Sequence, residues 1–377
     1  MKIAFDLRRI TNPGIGRYMQ CLVEAVLARD SGHEFLLILP PDAQEMMSVN
    51  GHRATKLPCE LKYYSVREQV ELPRILRANK IDLLHSPHFL LPVRRSCACV
   101  VTIHDVIYLA CKEDLPSRAG RLYYHGMMAT SVRLADRIIT VSEFSKADIV
   151  RRLRVDPRKI DVIHSGISPA LQRVTDSSRL EKVRQKFFID KEFILYAGIY
   201  KPRKNHAGLL RAFRHLMANG LCAKLVIAGP MNEGEAELKK LARDLEISKS
   251  VIFTGHVDDT DLCALYSTAR VYACPSLYEG FGFTVLEAMA CGTPVVCSRE
   301  TSLPEVAGDA AVYADSRDPQ EFAQALSRAF NDEELRTELV EKGYKNCSRF
   351  SWNLAAAKTI DIYESVNRKI ADKVVYA

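Results

Sequence analysis

The 377-residue chain predicts an α/β protein built as two doubly wound parallel-sheet domains that face each other across a cleft. Three observations predict it. Short apolar runs of β-formers alternate with amphipathic helical stretches along the whole chain, the pattern of a parallel sheet covered by helices. Those runs are continuously apolar rather than alternating, as in strands buried on both faces. The rhythm breaks in the polar stretch 169–191, where a hinge is placed. The domains are read as 1–168 and 169–351, with 352–377 packing back on the first as a helix. Such sheets bind ligands at the carboxyl ends of their strands, so two facing sheets share one cleft.

In the first half, strands are predicted at 2–6, 34–39, 82–85, 99–103, 137–141 and 160–163, with helices at 16–28, 67–79, 117–134 and 143–153. After the hinge, strands are predicted at 193–197, 224–228, 251–254, 271–274, 294–298 and 311–314. Helices are predicted at 206–218, 235–245, 261–269, 283–290, 319–349 and 352–370.

Hydrophobic residues make up 47% and charged residues 26%, an ordinary globular composition. No run approaches the roughly eighteen apolar residues of a membrane-spanning helix. The first residues, Met1-Lys2-Ile3-Ala4-Phe5-Asp6, lack a signal-peptide core. The eleven cysteines contain no Cys-x-x-Cys pair and read as reduced residues of a cytosolic protein. Residues 1–168 carry 25 Lys and Arg against 18 Asp and Glu, which accounts for the whole net charge of +7. The clusters at Arg94-Arg95, Arg118/Arg121 and Arg151-Arg152-Leu153-Arg154 suit an anionic membrane surface or an acidic acceptor, or are solvated faces. No nucleic-acid-binding motif accompanies them.

The stretch Glu279-Gly280-Phe281-Gly282-Phe283-Thr284, followed by Glu287, lies where a strand turns into a helix. Glycines let backbone amides approach a ligand closely, and a helix start favours a phosphate. Two carboxylates beside that turn suit hydroxyl groups, so the loop fits a sugar nucleotide. Gly198-Ile199-Tyr200-Lys201-Pro202-Arg203-Lys204-Asn205 follows another strand, where Arg203 and Lys204 can sit over a diphosphate or form an exposed basic turn. Gly14-Ile15-Gly16 is a tight turn without the third glycine of a dinucleotide site.

His104-Asp105 ends a buried strand; such a histidine stabilises developing charge or serves as a structural hydrogen-bonder. His85 and His88 are weaker candidates of the same kind. The backbone near Val257 can read the edge of a base. Asp258-Asp259-Thr260-Asp261 reads as a helix cap. No His, Cys and Asp set has metal-ligand spacing, so neither a metal nor a cofactor is expected.

Together these motifs, with Ser302-Leu303-Pro304-Glu305-Val306-Ala307-Gly308, resemble the retaining GT-B glycosyltransferases of family four, the glycosyl transferases group 1. The resemblance covers nearly the whole chain and is most specific at Glu279-x7-Glu287. It implies two Rossmann-like domains, the first binding the acceptor and the second the nucleotide-sugar donor. By that resemblance, Arg203 and Lys204 hold the diphosphate, and Glu287 bonds the ribose hydroxyls. Glu279 and the amides of Gly280, Phe281 and Gly282 orient the transferred sugar. The amides near Phe283 and Thr284 meet the phosphates, which Gly14 and Gly16 border. His104 contacts the primary-hydroxyl region of the sugar.

Many relatives carry arginine after the glycine matching Gly198; here Ile199 stands there, leaving more of the task to Arg203 and Lys204. The implied activity is metal-independent transfer of a hexose with retention. The Ser302–Gly308 segment and the Pro-Arg-Lys-Asn loop resemble mannosyltransferases of surface polysaccharide assembly. That points to GDP-mannose as donor, with a UDP-sugar as the alternative, and to a glycan or lipid-linked saccharide acceptor. A cytoplasmic location, peripheral on the inner face of the membrane, is expected. The competing classes are a sugar-nucleotide epimerase, which needs no acceptor, and a non-catalytic scaffold, which has no need of the two glutamates and two cations kept here.

Overall fold

The computed structural model describes residues 1–12, 14–49, 53–115, 117–230 and 234–375. The chain divides into two compact units. The first comprises Met1–Ala110, Leu115–Gly166 and Phe350–Ala377; the second comprises Cys111–Asp114 and Ile167–Arg349.

The first unit holds a seven-stranded parallel sheet of order β3-β2-β1-β4-β5-β6-β7. Its strands are β1 (Lys2–Asp6), β2 (Glu34–Leu39), β3 (Ala54–Pro58), β4 (Leu83–Ser86), β5 (Ala98–Thr102), β6 (Arg137–Thr140) and β7 (Ile160–Val162). The helices are α1 (Ile15–Leu27), α2 (Val66–Ala78), the single turn α3 (Ile107–Ala110), α4 (Arg118–Leu134) and α5 (Glu143–Leu153). Ser65, Ser117 and Ser142 cap α2, α4 and α5 by accepting a bond from the amide three residues on.

Strand β3 is absent from the sequence prediction. It is an edge strand whose residues are half-buried or exposed, and its Ala-Thr-Lys-Leu-Pro sequence carries no apolar run. Pro58 at its end fits an edge position, where a missing donor costs nothing.

The second unit holds a six-stranded parallel sheet of order β10-β9-β8-β11-β12-β13. Its strands are β8 (Phe193–Ala197), β9 (Lys224–Ala228), β10 (Val251–Gly255), β11 (Val271–Cys274), β12 (Val295–Ser298) and β13 (Ala311–Ala314). Its helices are α6 (Ser177–Lys186), α7 (His206–Ala218), α8 (Glu235–Asp244), α9 (Asp259–Thr268), α10 (Phe283–Ala290), α11 (Leu303–Ala307), α12 (Pro319–Asn331) and α13 (Glu333–Cys347). Asp258 caps α9 as expected, accepting from the Asp261 amide at 2.9 Å. The predicted single helix over 319–349 is two. Asp332 leaves helical geometry and caps α13 through the Leu335 amide, because a free carboxylate accepts that amide better than a helix interior holds it.

Every residue of β8 and β11 is buried. Tyr196, Phe213 and Phe322 belong to one apolar cluster that joins β8 to α7 and α12. Truncating one of them, as in Phe213→Ala, costs about 3–5 kcal/mol.

The final helix α14 (Trp352–Val375) belongs to the first unit. It packs on α1, and Tyr363 on it bonds the buried His85 at 2.6 Å. At Gly166, where the first unit ends, a Cβ would come within 2.4 Å of the Trp352 backbone nitrogen. Among the described residues, no helix is long and apolar enough to cross a membrane.

Candidate functional site

In the second sheet the strand order reverses between β8 and β11, so the loops after these two strands open side by side at the carboxyl edge. The loop 198–205 carries the cations and the loop 275–282 the carboxylate. They are joined directly: the Leu277 amide donates to the Arg203 carbonyl at 2.7 Å.

Local sequence explains the cation loop. Pro202 opens a short 3-10 turn, Pro202–Lys204, which Asn205 ends in the left-handed conformation at φ 55°. The Asn205 side chain then accepts from the Gly208 amide to cap α7 and donates to the Ser316 carbonyl at 2.7 Å. Arg203 and Lys204 are thus held on a rigid corner. Gly198 has φ 151°, and a Cβ there would lie 2.9 Å from the Tyr196 hydroxyl.

Lys204 Nζ donates to Glu279 Oε1 at 2.5 Å, and Arg203 Nη1 stands 3.7 Å from Glu279 Oε2. All three side chains are largely buried. Burial raises the Glu279 carboxyl, but the charges of Lys204 and Arg203 outweigh it and hold the group below its ordinary value. Glu279 is therefore ionised at neutral pH. Arg203 also donates from Nε to Asp114 at 2.7 Å and from Nη1 to the Tyr278 carbonyl at 3.3 Å.

The glycine turn is clamped from behind. Ser302 Oγ lies 3.0 Å from the Glu279 carbonyl and 2.8 Å from the Phe281 carbonyl, and the Glu279 amide donates to Thr301 Oγ1 at 3.0 Å. This gives the Ser302–Gly308 segment a positional role that the sequence alone left open. Gly282 has φ 110°, and a Cβ there would meet Leu303 at 2.8 Å. It opens α10 without a side-chain cap, so the amides of Phe283 and Thr284 begin a helix that suits an anion. Gly280 and Phe281 are buried beside it, with the Phe281 ring 5.1 Å from that of Phe283. Glu287, on α10, is buried and accepts from the Tyr266 hydroxyl at 3.2 Å, a different partner from those of Glu279. Val257 is half-buried in the loop after β10.

In the first sheet the order reverses between β1 and β4. The loops that follow these strands meet where Arg9 Nη1 stands 3.1 Å from His88 Nε2. Arginine only donates, so His88 Nε2 accepts and its Nδ1 carries the proton. Burial, with the Arg9 charge, holds His88 neutral, well below its ordinary value. His104 follows β5, and its Nε2 donates to the Pro87 carbonyl at 3.2 Å. Burial lowers its pKa to about 4. Neutral His104 therefore presents Nδ1 as an acceptor for a hydroxyl.

Gly14 is exposed at φ 76° at the start of α1, with nothing near a Cβ. Gly16 differs: a Cβ there would lie 1.9 Å from the Ile10 carbonyl oxygen, so its glycine is required by packing. Pro13, in the same predicted turn, lies outside the described residues. His85 is structural, between Tyr363 and Thr102.

The structure brings together Arg203, Lys204 and Glu279 in one unit and places His104, Gly14 and Gly16 in the other. Asp114, Thr301 and Tyr266 were not singled out in sequence, and Ser302 stood there only as the first residue of the Ser302–Gly308 segment, without a role.

The model for glycosyl transferases group 1 matches residues 178–346, and that for glycosyltransferase family 4 matches residues 13–171. The chain is 31% identical to the O-antigen chain mannosyltransferase B of Escherichia coli over 97% of this chain and 100% of that one. Sucrose-phosphate synthase from Thermosynechococcus elongatus superposes with a TM-score of 0.75 at 21% identity, covering 98% of this chain and 100% of that one. Anabaena Alr3699/HepE, solved with UDP and glucose, superposes with a TM-score of 0.72 at 18% identity over 100% of both chains. The structural likenesses establish the GT-B fold class. A relative this similar over its whole length, with two family models across both halves, shows that the chain belongs to the group 1, family 4 glycosyltransferases.

Proposed function

We propose that this glycosyltransferase moves mannose from GDP-mannose to a hydroxyl of a glycan or lipid-linked saccharide in surface polysaccharide assembly, with retention and without a divalent metal. The observation that carries the reading is the pairing of Arg203 and Lys204 with the ionised Glu279 at the reversal point of the second sheet. The mannosyl reading is supported by the O-antigen chain mannosyltransferase B that the chain resembles from end to end.

In this reading the second unit binds the donor and the first the acceptor. Arg203, Lys204 and the amides of Phe283 and Thr284 take the diphosphate. Glu279, with the backbone of Gly280, Phe281 and Gly282, orients the transferred sugar. Glu287 serves the ribose, and Gly198 and Val257 border the nucleotide. Gly14 borders the phosphates and acceptor, and Gly16 secures that turn. His104 accepts from a sugar hydroxyl. The bond from the anomeric carbon to the diphosphate breaks as the acceptor oxygen attacks from the same face. The acceptor proton passes to the leaving phosphate oxygen. The two cations neutralise the departing charge, the largest contribution in such a site.

The positive first half suits a peripheral cytoplasmic station on an anionic membrane. A UDP-sugar donor is the second reading, favoured by the UDP and glucose in the Anabaena structure. A thermal-shift panel with GDP, UDP, ADP and their sugars decides between them, since specific binding raises the melting temperature. A shift with UDP-sugars and none with GDP or GDP-mannose overturns the donor assignment. Transfer assayed with EDTA, with the anomeric configuration of the product read by NMR, tests metal independence and retention.

A further inference from the structure

A chain of aromatic side chains lies at the carboxyl edge of the first sheet, and the donor assignment uses none of it. It is contributed by the loops after β3 and β4, by α3 and by the start of α4. Tyr64 stands with its ring centroid 6.3 Å from Tyr123 and 6.3 Å from Phe89. Phe89 lies 5.0 Å from Tyr124, which lies 5.1 Å from Tyr108. Three members are strongly exposed for their type: Tyr64 at 42%, Tyr108 at 40% and Tyr123 at 52%.

Two further features mark Tyr64. Its φ of 65° lies in the left-handed region, a costly conformation for a bulky residue. It is held there by the Glu68 carboxylate, which accepts its amide at 3.0 Å. Its hydroxyl accepts from Arg9 Nη1 at 3.0 Å, and the Arg9 guanidinium lies 5.8 Å from its ring centroid. Arg9 also reaches His88 at the reversal point of the sheet. The ring is thus fixed at the edge where such sheets bind ligands.

We propose that Tyr64, Tyr108, Tyr123 and Tyr124, with Arg9, form a saccharide-binding platform for the acceptor. The inference rests on the glycosyl-transfer reading. A pyranose offers a face of C–H groups and a rim of hydroxyls. The electron-rich faces of tyrosine rings attract the first, while their hydroxyls and a fixed guanidinium serve the second. A platform of rings with two torsions each orders at low entropic cost. An apolar patch for lipid would not need Tyr64 held by Glu68 and Arg9 in a strained conformation.

The test is binding of methyl α-mannoside and of a dimannoside, followed by saturation-transfer NMR and titration, in the wild type and in Tyr64→Ala, Tyr123→Ala and Tyr123→Phe. The melting-temperature shifts given by GDP and UDP are measured in parallel. The expected result is about a tenfold loss of dimannoside affinity in each alanine variant, with Tyr123→Phe close to wild type because the ring remains. An undiminished nucleotide shift shows each variant folded. Unchanged dimannoside binding in both alanine variants overturns the platform, as does absence of saccharide binding by the wild type while GDP or UDP still binds. Loss of sedimentation with phosphatidylglycerol vesicles in the alanine variants, with saccharide binding intact, assigns the patch to the membrane and also overturns it. Failure of every nucleotide and nucleotide-sugar to bind defeats the transfer reading instead.

Discussion

Arg203 donates from Nε to the carboxylate of Asp114 at 2.7 Å, across 89 positions of chain. Asp114 is almost wholly buried, and its second oxygen meets no partner among the described residues. Two carboxylates, Asp114 and Glu279, therefore face the two cations Arg203 and Lys204 within the second unit, and their formal charges cancel. In the proposed donor site, a diphosphate would have to compete at Arg203 with a carboxylate already seated there.

Replacing Asp114 by Asn leaves a net positive charge at the cations. GDP or UDP affinity is expected to rise several-fold, and the gain to shrink as salt is added. Titration calorimetry at two ionic strengths checks it. A fall in affinity shows instead that Asp114 acts by holding the guanidinium in place.

Glu279→Ala and Lys204→Ala are each expected to lower transfer by about a hundredfold or more, because each removes a preorganised charge from the site. Glu279→Ala also strands the buried Lys204 ammonium, a loss of about 3–5 kcal/mol, whereas Lys204→Ala leaves Glu279 facing Arg203 and costs less, and the double variant melts higher than the sum of the single losses predicts. Near-normal turnover in either single variant contradicts the site assignment.

Ser302→Ala removes the hydroxyl that serves the carbonyls of Glu279 and Phe281. The expected cost is about 1–3 kcal/mol of stability, with a weaker donor shift because the glycine turn loosens. Denaturant unfolding and the GDP shift measure the two effects separately.

Burial lowers the pKa of His85 to about 3 and those of His104 and His206 to about 4. The folded state then binds fewer protons than the unfolded state, in which histidine titrates at its ordinary value near 6.5. The stabilisation is complete above that value and is lost progressively as pH falls toward about 4. Melting temperature is expected to drop steeply over this window. A flat profile from pH 6.5 to 4 contradicts the burial argument.

Gly16→Ala places a methyl against the Ile10 carbonyl and is expected to destabilise strongly, whereas Gly14→Ala meets open space and bears only the backbone strain of its γ-turn geometry (φ 76°, ψ −67°), about 1–3 kcal/mol. Comparing the two melting temperatures separates a packing glycine from a turn glycine.

The sequence by itself determined the alternation of strands and helices, because continuous apolar runs and helical periodicity are local signals. It also singled out Arg203, Lys204, Glu279 and His104 as candidates in the turns that follow strands, and Glu287 in the helix after one of them. Strand β3 escaped because an edge strand is half exposed and has no apolar run. The division of one tail helix into α12 and α13 escaped because a single capping aspartate breaks a pattern that otherwise remains helical. Only the tertiary structure decided that Lys204 pairs with Glu279, that Ser302 holds the glycine turn and that Asp114 is seated on Arg203. These contacts join residues far apart in sequence; the strand order of the second sheet places the loops after β8, β11 and β12 side by side, and Asp114 reaches Arg203 from the segment 111–114. The same reason hides the aromatic chain around Tyr64: its rings come from different loops and helices, and only the order of the first sheet makes them neighbours.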